Sequence, residues 1–180
     1  MRIISGTLRG KKLLTPANER IRPTTDRARE ALFSIITSKL AQPVSEYNVL
    51  DIFSGTGAFG LEATSRGAKS VTFVDIDLSL TKKNAQLCGF KNLSFIKKDA
   101  RHLPVSTKTY DLIFMDAPYN MGLSAPVLDI LINHNYLNKK SLIIVETAKD
   151  EELASPSLLE MIDERIYGAA HFRFYVLKEQ

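Results

Sequence analysis

One cysteine, no tryptophan and only three histidines leave this 180-residue chain little with which to build a disulfide framework or a metal centre. Cys88 has no second cysteine to pair with, and His102, His134 and His171 show no ligand spacing, so no metal site is expected. Long hydrophobic runs are also missing. No stretch nears the ~20 apolar residues of a membrane-spanning helix, and the opening MRIISGTLRGKKLL has no uninterrupted apolar run of signal-peptide length. A cytoplasmic location with no membrane partner is therefore expected. Glycine and proline number only 9 and 7, which excludes collagenous and low-complexity architectures. What remains is 44% hydrophobic and 24% charged, enough for one buried core, and residues 1–180 are read as a single, monomeric domain.

The net charge of +4 is unevenly spread. Residues 1–30 carry eight basic side chains against three acidic ones, whereas the remaining 150 residues hold 16 and 17. Basicity confined to one end points to a polyanion contact more than to general solubility, although a solvated basic arm would look the same.

Residues 2–14, rich in Ile, Leu and Thr with Gly6 and Gly10 as turn signals, predict a short hairpin within a basic N-terminal segment spanning 1–20. In Arg22-Pro23-Thr24-Thr25-Asp26, Pro23 disfavours helix before it and Thr24 or Thr25 can cap the one that follows. That helix, within 21–42, should bury Ala28, Ala31, Leu32, Ile35 and Ile36 and leave Arg27 and Glu30 outside. From Tyr47 onward short apolar runs at 48–53, 70–75, 93–97, 111–116 and 141–146 alternate with helical patterns at 58–66, 78–88 and 125–133, ended by glycines at 67 and 89 or by a polar turn. Strands separated by helices predict an α/β fold, a parallel sheet with helices on both faces. The tail, 165–167 and then 171–177 across Gly168, should add an antiparallel pair at one edge.

Asn48 to Phe53 runs directly into Ser54-Gly55-Thr56-Gly57-Ala58-Phe59-Gly60, so a GxGxxG spacing falls between strand and helix. Such a loop lets a ligand approach the backbone closely, and Asp75, 20 positions after Gly55 at the end of the next strand, is placed to accept hydrogen bonds from ribose hydroxyls. An adenosine-type cofactor is expected there. Asp51, at the strand end before the loop, would repel a pyrophosphate and welcome a cation, favouring S-adenosylmethionine over a nicotinamide dinucleotide. It could equally hydrogen-bond loop amides alone. Asp99 either accepts from an adenine amino group or is a solvated turn residue. Phe53, Thr56 and Ala100 adjoin these positions and complete the candidate donor site.

A second constellation, Asp116-Ala117-Pro118-Tyr119, follows the apolar strand Leu112-Ile113-Phe114-Met115 at the sheet edge where open α/β folds bind ligands. An exocyclic base amine is a poor nucleophile because its lone pair is delocalised into the ring. Hydrogen bonds from its two N–H groups to Asp116 and to the Ala117 carbonyl would favour a pyramidal nitrogen able to attack a methyl group. Tyr119 can stack on the base, and Asp116 stabilises the positive charge that passes to the amine. The logic suits any base amino group, so the alternatives are a methyltransferase of another base amine in RNA or DNA and a catalytically weak RNA-binding protein on the same fold. An NAD-dependent oxidoreductase would leave the tetrad unexplained.

Leu50 to Gly60, Arg66-Gly67-Ala68, Phe73 to Asp77 and the Asp116 tetrad, preceded by Arg22 to Glu30 and by Arg2-Ile3-Ile4-Ser5-Gly6, resemble the bacterial 16S ribosomal RNA guanine-N2 methyltransferases of the RsmD type. The resemblance implies a Rossmann-like class I methyltransferase fold: a mostly parallel seven-stranded sheet with an antiparallel last strand, plus an N-terminal β-hairpin that contacts RNA. It implies a guanine of 16S rRNA within the small ribosomal subunit as substrate. Gly55, Gly57 and Asp75 would hold S-adenosylmethionine, Asp99 its adenine, and Asp116, Pro118 and Tyr119 the target base. Ala117 stands where the family usually has a first proline. Arg2, Arg9, Lys11 and Lys12 become candidate phosphate contacts, and Arg22, Thr24, Asp26 and Arg29 would border the cofactor or base pocket, with helix capping an equal role for Asp26.

Overall fold

The computed structural model describes residues 1–16 and 26–179. A basic arm leads into α1 (Asp26–Lys39), followed by β1 (Asn48–Ile52), α2 (Ala58–Ser65), β2 (Ser70–Asp75), α3 (Ser79–Cys88), β3 (Leu93–Lys97), β4 (Tyr110–Asp116), α4 (Ser124–Asn133), β5 (Leu137–Ala148), β6 (Leu159–Tyr167) and β7 (Ala170–Leu177). The strands form one sheet in the order β3-β2-β1-β4-β5-β7-β6. Pairings among β1 to β5 are parallel, and β7 runs antiparallel to both β5 and β6. The expected class I methyltransferase sheet is thus present. The order reverses at β1, which lies between β2 and β4, and this switch point is where open α/β sheets form their ligand crevice.

Alternation along the strands assigns the two faces. Val49, Val71, Phe73, Leu112, Phe114, Leu142, Ile144, Phe172 and Phe174 join a core covered by the arm, α1, α2 and α3. Their neighbours Leu50, Ile52, Val74, Ile113, Met115, Ile143, Val145 and Tyr175 join a second core with Val127, Leu128 and Leu131 of α4. Asp51, Asp116 and Glu146 continue the first face at its carboxyl end. Among the described residues no helix is long and apolar enough to cross a membrane.

Four elements differ in detail from expectation. The predicted hairpin is short: Arg2 and Lys12 form an antiparallel bridge, and the Ile3, Gly10 and Leu13 N–H groups donate across it to the Lys11, Ile3 and Met1 carbonyls at 2.9, 2.8 and 3.2 Å, while α2 and α3 take other parts of the arm's backbone. The Ile4 and Ser5 N–H groups donate to the buried Glu62 carboxylate at 2.7 and 3.0 Å, and Leu14 exchanges two bonds with Asn84 at 2.7 and 3.0 Å. Helix α1 buries Ala28, Arg29, Leu32, Phe33 and Ile36, a stripe rotated from the predicted one. Phe33 sets that rotation, packing between Phe59, 4.9 Å between ring centroids, and the Arg66 guanidinium, 4.6 Å above its ring. Finally, β5 and β6 are longer than their apolar segments, since polar residues at 138–140 and a charged, exposed edge strand conceal the rest. The proposed capping residues Thr24 and Thr25 lie outside the described residues.

Candidate active site

At the tips of β1 and β2 the glycine loop and the acid meet as the spacing predicts. Asp75 Oδ2 accepts from the Gly55 N–H at 2.9 Å, and Oδ1 accepts from the Asp77 N–H at 3.1 Å. Two backbone bonds leave a carboxylate with acceptor capacity to spare. Gly55 has φ 51°, and a Cβ built on it would come no nearer than 3.9 Å to other atoms, so its surroundings are open. Gly60 answers a different need: a Cβ there would lie 2.4 Å from the Phe73 ring, so only glycine lets α2 pack onto β2. Phe53, just past β1, is held at φ 59°, a strained conformation for a bulky residue of the kind that clusters at ligand sites. Thr81 and Asn84 of α3 brace the loop by donating to the Gly55 and Thr56 carbonyls at 2.8 and 2.9 Å. Neither residue was signalled by the sequence, since α3 reaches the loop only through packing.

The other two acids assigned to the donor site behave differently. Asp51 is buried beneath the loop and its Oδ2 accepts from the Gly60 N–H at 2.9 Å. Burial pushes its carboxyl up to about 8, against the opposing effect of that bond. It is therefore mostly protonated at neutral pH, and the bond to a helix amide is the role the structure displays. A cation brought near would favour the ionised form. Asp99 lies at the same edge, since the Lys98 N–H preceding it donates to the Asp75 carbonyl at 2.9 Å. Its carboxylate is gripped by Arg101, through the backbone N–H at 2.9 Å and the guanidinium at 2.6 to 3.2 Å, and these bonds hold it down to about 2. Asp99 thus caps the turn at Ala100–His102, and its acceptors are largely spent there.

At the tips of β4 and β5 the tetrad forms a second acidic corner. Asp116 is in register with Glu146 on β5, and Asp51 with Phe114, two residues before Asp116. Three carboxyl groups thus crowd one face of three adjacent strands. Burial, then Glu146, then Asp51 push the Asp116 carboxyl well above the ordinary range. The Tyr119 hydroxyl donates to Glu146 Oε1 at 2.9 Å, and the residue as a whole is 38% exposed. Burial and the acids Glu146, Asp116 and Glu151 raise its pKa, so it stays a donor. Ala117 is buried and Pro118 exposed. Phe59 of α2 stacks on Phe114 at 4.1 Å and walls the corner from within. Glu146 is the residue that motif reading missed. Its one sequence signal is an apolar run ending in an acid, Leu142 to Glu146, which repeats the pattern of Leu112 to Asp116.

Of the candidate RNA contacts, Arg2, Arg9, Lys11 and Lys12 are exposed on the arm. Arg29 is not: it is 3% exposed, and its guanidinium donates to Asp26 at 3.0 Å and to the Arg2 carbonyl. A buried arginine bonded this way fastens the arm to α1 and has no free face for a phosphate. Asp26 also takes the Arg2 guanidinium at 3.1 Å. Arg22 and Thr24 lie outside the described residues.

A profile of the family described as conserved hypothetical protein 95 matches residues 1–176. Ribosomal RNA small subunit methyltransferase D of Haemophilus influenzae is 34% identical over 183 residues, covering 97% of this chain and 93% of the relative. The chain belongs to this methyltransferase family. The solved structure of the Escherichia coli protein yhhF superposes with a TM-score of 0.84 at 32% identity, covering 100% of this chain and 99% of the other. N-methyltransferase NodS from Bradyrhizobium japonicum, in complex with S-adenosylhomocysteine, shares the fold alone, with a TM-score of 0.66 at 16% identity over 91% of this chain and 94% of that one. Family members are thus methyltransferases on a class I sheet.

Proposed function

We propose that this protein transfers a methyl group from S-adenosylmethionine to the exocyclic N2 of a guanine in 16S rRNA of the small ribosomal subunit, acting in the cytoplasm as a single domain and a monomer. The observation that carries this reading is the placement of two acceptor sites on either side of β1. Asp75 ends β2 and Asp116 ends β4, and strands about 4.8 Å apart leave them roughly 10 Å from one another across the switch point. The donor set fits S-adenosylmethionine: a carboxylate with spare acceptors for ribose hydroxyls, open space over Gly55, and buried Asp51 to answer positive charge. Phe53, Thr56, Gly57, Asp99 and Ala100 would border it.

When bound, this group supplies an electrophilic methyl on a sulfonium. The chain's own residues do the rest. Asp116 and the Ala117 carbonyl accept from the amine, Pro118 and Tyr119 hold the base, and Asp116 takes the proton that the amine sheds as its bond to carbon forms. Alignment carries most of the acceleration, with effective molarities of ~10⁵ to 10⁸ M available. A corner rich in acceptors suits the guanine edge, where N1–H and the N2 amine are donors. Arg2, Arg9, Lys11 and Lys12 supply sequence-independent phosphate contacts that set the register.

Small subunits from cells lacking the gene, incubated with the protein and methyl-labelled donor, should yield labelled N2-methylguanosine in 16S rRNA. Subunit binding without label transfer would refute the reading, and label on another base amine would refute the guanine assignment.

A further inference from the structure

We propose that Glu146 is a positioning residue for the target base, fixing the Tyr119 ring through its hydroxyl and setting a second carboxyl group against Asp116. The role rests on the methyl-transfer reading above. Tyr119 opens a turn past β4 in which Asn120 and Gly122 adopt φ 58° and 62°, and its hydroxyl reaches back from that turn to β5. Glu146 is 1% exposed and lies within β5, flanked by β4 on one side and by Phe172 of β7 on the other. The 2.9 Å bond therefore refers the edge of the ring to the sheet and leaves its face for the base. The Asn120 N–H, donating to Glu151 at 3.0 Å, ties the loop down one residue further on.

The same carboxyl group acts on Asp116 by charge. Acids face this corner from three strands and one loop: Asp51 from β1, Asp116 from β4, Glu146 from β5, and Glu151 beyond β5 towards Tyr119. Helix α2 and β7 bring the apolar Phe59 and Phe172, and the Arg173 guanidinium of β7 is bonded to Thr147 and the Glu151 carbonyl. Like charges on adjacent strands resist ionising together. Glu146 therefore raises the pH at which Asp116 becomes the carboxylate that the amine needs. Removing its charge while keeping an acceptor should separate the two effects.

The test compares Glu146→Ala, Glu146→Gln and Tyr119→Phe on small subunits, reading kcat, KM, the pH profile of kcat and S-adenosylhomocysteine affinity. Glu146→Ala should lower kcat by about 10- to 100-fold, the scale of a small misplacement, with homocysteine-ligand affinity unchanged. Tyr119→Phe should add little to that loss, since both remove one bond. Glu146→Gln should recover part of kcat and shift the acid limb of the profile to lower pH. Independent, multiplying losses in the double variant, or an unmoved acid limb in Glu146→Gln, would overturn the role. Should Glu146→Ala fail to fold, the Glu146→Gln profile and Tyr119→Phe decide the question. A wild-type protein that binds subunits and transfers nothing would overturn the methyl-transfer reading itself.

Discussion

The two ends of the crevice keep their acids by opposite means. At the tips of β1 and β2 Asp75 is held by backbone N–H groups, and nearby Asp99 by Arg101. Asp75 keeps acceptor capacity to spare, whereas Asp99 spends most of its own on Arg101. At the tips of β4 and β5 Asp116 stands in register with Glu146, and its carboxyl is raised by burial and like charge. Asp51 lies between the two, buried like the second group yet bonded to an amide like the first. A half stabilised by amides suits the binding of a neutral ribose. A half rich in crowded carboxyls suits a step in which positive charge appears and a proton must be taken up.

Breaking the two halves separately should give mirrored losses. Asp116→Ala should reduce methyl transfer by about 10³-fold or more, the scale seen when a transition-state electrostatic partner is removed, with S-adenosylhomocysteine affinity nearly unchanged. Asp75→Ala should do the reverse. Loss of hydrogen bonds to a charged acceptor, about 1.5 to 3 kcal/mol, weakens the homocysteine ligand by about 10- to 100-fold, while transfer at saturating donor falls less. Equal effects of both variants on both readouts would erase the comparison.

The residue between them sharpens it by pH. Asp51 keeps its proton in the folded protein up to about 8, whereas an unfolded chain releases it near about pH 4. Between those values the folded state binds more protons, so stability should fall as pH rises from about 4 to about 8. Denaturant titrations across that range check the slope, and Asp51→Asn should flatten it. The smallest effect lies outside the crevice: replacing Arg9, Lys11 and Lys12 with Ala should reduce the salt slope of subunit binding by about 2 to 3, at about 0.7 to 0.9 per phosphate contact, and leave donor affinity alone. An unchanged slope would move the RNA surface off the arm.

The same contrast explains what the sequence disclosed. Gly55, Gly57, Gly60 and Asp75 lie within about one strand-helix-strand unit, where spacing alone brings loop and acid together. Asp116 was legible because its tetrad is contiguous. Glu146 was not, since only the register of β4 with β5 brings it beside Asp116, 30 residues away. Arg29 looked like a free cation because the helical stripe could not show that Phe33 would turn α1 and bury it. The arm's turn was legible from Gly6 and Gly10, but its Ile and Leu alternation says nothing of Glu62, Ser65 and Asn84, whose side chains claim the rest of its backbone from other elements.

The central claim is that the donor spans the switch point with its reactive carbon towards Asp116. A crystal structure with S-adenosylhomocysteine bound tests it most directly. The account predicts the ribose hydroxyls on Asp75 and the sulfur turned to the gap between Asp116 and the Tyr119 ring. A ligand seated elsewhere, or with its sulfur directed away from Tyr119, would contradict it.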